Sequence, residues 1–169
     1  MNSPNHPNSN AQITILLIDD DPSTLLVCRT RLQQEGFTVL QAPGSSEALK
    51  LQTNRAVPIH LVISDIMLSP PDFQLSVGNN PFPRVNGLDL VDRLLESKTD
   101  LRIAFMSTTS KADLLARGMI RDGMPFIQKP FTVEAFTALV YQALAGPPAA
   151  RNARKKEGSG AAKEVDWFG

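Results

Sequence analysis

The sequence predicts an α/β fold: a doubly wound, five-stranded parallel sheet with helices on both faces. Three observations predict it. Short apolar runs alternate five times with stretches of helical periodicity, the pattern of strands joined by crossover helices. The runs are continuously apolar, as in Ile15-Leu16-Leu17-Ile18, which fits strands covered on both faces. Polar residues follow four of the runs directly: Asp19-Asp20-Asp21, Asp65, Ser107 and Lys129. In an open parallel sheet the cleft lies at the carboxyl ends of the strands, so these side chains are expected to converge on one rim.

Each element has a local reason. Ile13 to Ile18 is too short for an ordinary helix and reads as the first strand. Pro22 opens a helix, because proline suits its first turn, and Gly36 stops it. It carries the apolar residues Leu25, Leu26, Cys28 and Leu32. Phe37 to Gln41 reads as the second strand. Pro43-Gly44-Ser45 is a turn into a helix running to about Asn54. After Pro58, Ile59 to Ser64 is the third strand, followed by a long irregular stretch to Asn86. Gly87 to Ser97 carries Leu88, Val91, Leu94 and Leu95 at helical spacing. Leu101 to Met106 is the fourth strand, Ser110 to about Arg121 the fourth helix, Pro125 to Gln128 the fifth strand, and Val133 to Ala145 the last helix.

The expected organisation is a disordered arm over residues 1–12, one domain over 13–146 and a flexible tail over 147–169. Pro147-Pro148-Ala149-Ala150 and Gly158-Ser159-Gly160 mark the tail as linker-like. The 169 residues are 42% hydrophobic, enough for one core. Formal net charge is zero, which gives no broad attraction to nucleic acid or to a membrane. Residues 13–146 carry 12 basic and 14 acidic side chains, the tail 5 and 3, too small an asymmetry for a nucleic-acid arm. Cys28 stands alone, so no intrachain disulfide is expected, and it reads as a small core residue. His6 and His60 have no cysteine companions for zinc. No apolar run approaches a membrane span, and the Asn-, Pro- and Ser-rich start lacks a signal core. The expected compartment is the cytoplasm.

The rim residues point to phosphoryl chemistry. A carboxylate attacks phosphorus when its charge is managed, and Asp65 stands at the end of an apolar strand. Asp19 and Asp20 offer the oxygen ligands that Mg²⁺ favours. Lys129 can pair with Asp65 and with a phosphoryl group, and the Ser107 hydroxyl can bond a phosphoryl oxygen. Acids at a helix start are often only caps. That reading accounts for Asp19 and Asp20 taken alone, but not together with Asp65 and Lys129.

Four segments, in order, resemble the receiver domain of bacterial two-component response regulators. They are Ile15-Leu16-Leu17-Ile18-Asp19-Asp20-Asp21-Pro22-Ser23, Val62-Ile63-Ser64-Asp65-Ile66-Met67, Phe105-Met106-Ser107-Thr108 and Phe126-Ile127-Gln128-Lys129-Pro130-Phe131. The likeness runs from about Ile13 to Ala145 and implies a flavodoxin-like strand order in a stand-alone receiver. It implies that Asp65 accepts a phosphoryl group from a sensor histidine kinase or histidine phosphotransfer protein. It implies Mg²⁺ on Asp19, Asp20, Asp65 and the backbone carbonyl of Met67, and a downstream protein partner. Lys129-Pro130 matches the family's cis peptide, and Ser107 and Phe126 match its two switch positions. Phe126 lacks the phenol hydroxyl of the tyrosine often found there. Asp21 falls one step past the acidic pair and is expected to start the helix.

The main departure from the family lies over about residues 69–85, an insertion of about fourteen residues. Its prolines and apolar side chains (Phe73, Leu75, Val77, Phe82, Val85) are expected to fold down on the domain rather than form a lid or docking surface. Thr108 replaces a small residue of the family; an ordinary loop threonine and an obstruction to water fit it equally. Trp167 and Phe168, in the polar tail, are the residues expected to recognise a partner. Two rivals stand beside the signalling reading. One is a receiver-like scaffold that works without phosphorylation. The other is an aspartate-nucleophile phosphatase, for which Asp19 and Asp21 have suitable spacing but Asp65 has no role.

Overall fold

A computed structural model describes residues 13–54, 56–68 and 87–149. The expectations for the N-terminal arm, the 69–85 insertion, and Trp167 and Phe168 lie outside these residues. The element order is β1 (Thr14–Ile18), α1 (Pro22–Gln34), β2 (Thr38–Ala42), α2 (Ser45–Thr53), β3 (Leu61–Asp65), α3 (Gly87–Ser97), β4 (Arg102–Ser107), α4 (Lys111–Ala116), β5 (Phe126–Gln128) and α5 (Val133–Ala145). The five strands form one parallel sheet in the order β2-β1-β3-β4-β5. Strand order reverses at β1 and β3, which places a crevice beyond their carboxyl ends.

Strand side chains alternate between faces, and the core divides accordingly. Ile15, Leu17, Leu61, Ile63, Ala104 and Met106 pack with Leu25, Cys28 and Leu32 of α1 and Phe136, Leu139 and Val140 of α5. Leu16, Ile18, Val62, Ile103 and Phe105 pack on the other face with Leu88, Leu90, Val91 and Leu94 of α3, Ala48 of α2 and Leu114 of α4. Each fully buried aliphatic side chain contributes about 1.5–3 kcal/mol of transfer free energy.

Three details differ from the sequence expectation. Leu26 is 55% exposed, because a residue adjacent to buried Leu25 is rotated away from the sheet. Each strand begins one or two residues late, and β3 and β4 run one residue further, so Asp65 and Ser107 are their last residues rather than the first beyond them. The fourth helix ends at Ala116, not near Arg121. Gly118 takes φ +64°, its N–H bonds Leu115 O at 2.9 Å and the Met119 N–H bonds Leu114 O at 2.9 Å. This pair of bonds closes a helix with a left-handed residue. Gly36, at φ +89°, ends α1 in the same way through Gly36 N to Gln33 O and Phe37 N to Leu32 O.

Beyond α5 the chain is held against the head of β4. Ala149 N donates to Leu101 O at 2.8 Å, and Arg102 Nε donates to Gly146 O at 3.0 Å.

Candidate functional site

Two buried carboxylates face one ammonium at the carboxyl rim. Asp19 follows β1 and is fully buried; Asp65 ends β3 and is 6% exposed. Lys129 follows β5 and is held in place by its own N–H, which donates to Ser107 O at 2.8 Å. Its Nζ lies 2.6 Å from Asp19 Oδ2 and 2.7 Å from Asp65 Oδ2. The second oxygen of each acid accepts from the amide two residues on: Asp21 N to Asp19 Oδ1 at 2.9 Å, Met67 N to Asp65 Oδ1 at 2.8 Å. Each carboxylate is thus fixed from both sides, by a loop amide and by the same lysine. The Lys129-Pro130 peptide is cis, as expected.

Two anions against one cation leave this buried group with net negative charge. Burial raises the Asp19 pKa above its ordinary value, against the hydrogen bonds from Lys129 and the Asp21 amide. Burial also works to lower that of Lys129, but hydrogen bonds to Asp19 and Asp65 outweigh it, so Lys129 is raised overall and stays an ammonium. Asp20, exposed beside them, completes the acidic cluster: oxygens of Asp19, Asp20 and Asp65 lie within 4.8 Å of one another. Among the described residues this is the only His, Cys, Asp and Glu group arranged to hold a metal ion. Three carboxylates with one lysine between two of them fit a hard, oxygen-seeking divalent cation.

Asp21 is placed differently. Its carboxylate accepts from Ser23 N at 3.0 Å, Thr24 N at 3.3 Å and Thr24 Oγ1 at 2.7 Å. It caps α1, and the Thr24 hydroxyl and Ser23 amide hold its pKa below the ordinary value. A phosphatase built on Asp19 and Asp21 would need this carboxylate in the crevice.

Ser107 is fully buried at the end of β4, and its Oγ accepts from Thr109 N at 3.1 Å. Thr108 is exposed. Phe126 is half-buried in register with Phe105 and packs on the α2/α3/α4 side of the core. Met67 is 51% exposed beside Asp65. Cys28 is buried as expected; burial first, then the Asp19 charge, push its thiol pKa up to about 12.

Sequence reasoning missed Ser64 and Gly87. Ser64 is fully buried and its Oγ donates to Asp65 O at 2.9 Å. Gly87 read as a helix start and, with Asn86, as the Asn-Gly that ends the family's loop, but not as a residue that packs directly on the Asp65 main chain. The Asn86-Gly87 dipeptide ahead of a helical pattern was the available signal.

A parallel sheet of this order, with an acidic cluster and a lysine gathered at its carboxyl rim, is a flavodoxin-like α/β domain with its polar site at the strand ends. The family model for the response regulator receiver domain matches residues 15–141, and the chain belongs to that family. The response regulator SaeR of Staphylococcus aureus is 23% identical over 118 residues, which cover 70% of this chain and 44% of SaeR. The chain therefore spans less than half the length of that relative. The non-phosphorylated HemR receiver domain from Leptospira biflexa superposes with a TM-score of 0.61 at 27% identity, covering 82% of this chain and 98% of that one. A response regulator receiver protein from Sinorhizobium medicae gives 0.60 at 25% identity, with 78% and 94% covered.

Proposed function

We propose that this receiver takes a phosphoryl group onto Asp65 from the phosphohistidine of a sensor histidine kinase or histidine phosphotransfer protein. The supporting observation is the Lys129 ammonium bridging Asp19 and Asp65 at 2.6 and 2.7 Å. An Asp65 oxygen attacks phosphorus, the phosphorus–nitrogen bond breaks with its electron pair returning to nitrogen, and the imidazole, already protonated on its other nitrogen, leaves as the neutral ring. Lys129 follows the charge as it spreads to the phosphoryl oxygens. Asp19, Asp20, Asp65 and the Met67 carbonyl are the residues that would hold Mg²⁺, which supplies positive charge to the same oxygens. The Ser107 oxygen that accepts from Thr109 still has a hydrogen to donate to the new phosphate.

Phosphorylation removes a carboxylate from the Lys129 pair and adds a larger anion, which biases two conformers of the rim. Ser107 and Phe126 are the switch residues in this reading; Phe126 changes rotamer without a hydroxyl to anchor its outward state. The chain catalyses only its own phosphorylation and dephosphorylation. It signals in the cytoplasm by protein contact, through the face of α4, β5 and α5, with Trp167 and Phe168 as a further recognition element. Incubation with acetyl phosphate and Mg²⁺, followed by intact mass, tests the reading. Wild type should gain one phosphoryl group and Asp65→Asn none; equal uptake by both rejects Asp65 as the acceptor.

A further inference from the structure

We infer that Ser64 and Gly87 form a clasp on the Asp65 main chain, which positions the acceptor carboxylate independently of the segment between residues 68 and 87. The inference rests on Asp65 as the acceptor. Asp65 is the last residue of β3 in register with β4, opposite Met106. Past that point the sheet holds the chain through Ile66 N to Met106 O at 2.9 Å. Two further bonds close on the same two peptide units: Ser64 Oγ to Asp65 O and Gly87 N to Ile66 O, each 2.9 Å.

The approach of Gly87 admits no side chain. A Cβ there would stand 1.9 Å from Asp65 O, 2.8 Å from Ser64 Oγ and 2.9 Å from Asp65 C. Carbon and carbonyl oxygen ordinarily meet at about 3.3 Å or more, so any other residue displaces one partner by more than about an ångström. The helix behind Gly87 is pinned by buried Leu88, Leu90, Val91, Leu94 and Leu95. The strand end carrying Asp65 is the part that yields, and it moves relative to Lys129, which belongs to another element. Because Gly87 N bonds Ile66 O, the chain returns beside the Asp65 main chain at a fixed point. The carboxylate is then set by the clasp and by the Met67 amide, not by residues 69–86.

The full chain tests this with acetyl phosphate at saturating Mg²⁺, reading initial rates by intact mass. Gly87→Ala should slow the saturating rate about 100-fold, the order expected for an ångström of misplacement, with the donor concentration at half-saturation changed little. Ser64→Ala should slow it about threefold. Deleting Asp72 to Pro83 should leave it unchanged. The Met67 amide resonance, which reports the bond to Asp65 Oδ1 without any donor, should move in Gly87→Ala and stay in the deletion variant. A wild-type rate or an unmoved Met67 resonance in Gly87→Ala overturns the clasp. Where Gly87→Ala does not fold, an unchanged rate and resonance in Ser64→Ala overturn it. A slowed deletion variant overturns the decoupling. Absence of phosphoryl uptake by wild type rejects the function instead, and the resonance then decides the clasp alone.

Discussion

The two rims of the sheet use charge in opposite ways. At the amino-terminal rim, cations and a histidine satisfy the backbone. Arg102 donates to Gly146 O, Lys98 donates to Ile59 O, and His60 Nδ1 accepts from Thr14 N. At the carboxyl rim the charged side chains accept from loop amides and also bond one another, with Lys129 shared between Asp19 and Asp65. A charge spent on a carbonyl closes an element; removing it loses one hydrogen bond. Charges gathered on one another in a buried place are costly to keep, and their arrangement is explained by what they do to a ligand.

The largest contrast should come from cutting each rim once. Lys129→Met should lower phosphoryl uptake about 100-fold or more, as loss of a transition-state donor does. It should also cost about 3 kcal/mol in metal-free urea unfolding, because two carboxylates are left uncompensated. Arg102→Ala should cost about 1 kcal/mol and leave uptake unchanged. Equal uptake by the two variants breaks the comparison.

Asp19→Asn sharpens it next. The fully buried Asp19 has its pKa raised by burial, so its ionised form works against the fold. Without metal the variant should be as stable as wild type or more so, while Mg²⁺ affinity by calorimetry falls about tenfold or more. A clear metal-free loss of stability would show that Asp19 serves structure.

The pH dependence is smaller and has a definite sign. The pKa of Lys129 is raised above 10.5, so its pairing contributes fully below 10.5 and is lost as pH rises through the folded-state value. Urea midpoints followed upward from pH 10 should therefore fall more steeply in wild type than in Lys129→Met. Arg102→Ala should follow wild type. Parallel curves for wild type and Lys129→Met contradict the pairing. Least of all, Cys28 under α1 should resist a thiol reagent at pH 8 in every folded variant, since it is 1% exposed with a thiol pKa of about 12. Rapid labelling would mean that α1 opens without the rest of the domain.

Much of this was legible in the chain. Pro22 and Gly36 bounded α1, continuous apolar runs gave the buried strands, and strand ends named Asp19, Asp65, Ser107 and Lys129. Those signals are local or follow from one known architecture. Gly118 carried the same stop chemistry as Gly36, but the apolar Met119 and Ile120 after it looked like a continuing helix. Leu26 is apolar like Leu25 yet exposed, because adjacency in sequence hides the rotation between neighbours on a helix. Ser64 and Gly87 matter through a contact between β3 and α3, and no pattern within either segment states that distance. The hold of Leu101 on Ala149 is likewise tertiary; its sequence reads as linker.

The most direct measurement is the position of the phosphoryl bond itself. Protein treated with acetyl phosphate and Mg²⁺ is reduced with borohydride, which converts an aspartyl phosphate to homoserine, and its peptides are sequenced by mass. Homoserine at residue 65 alone, absent when Mg²⁺ is chelated and absent in Lys129→Met, is the predicted result. Homoserine at residue 19 or 20, or conversion at 65 indifferent to both the metal and the lysine, would contradict it.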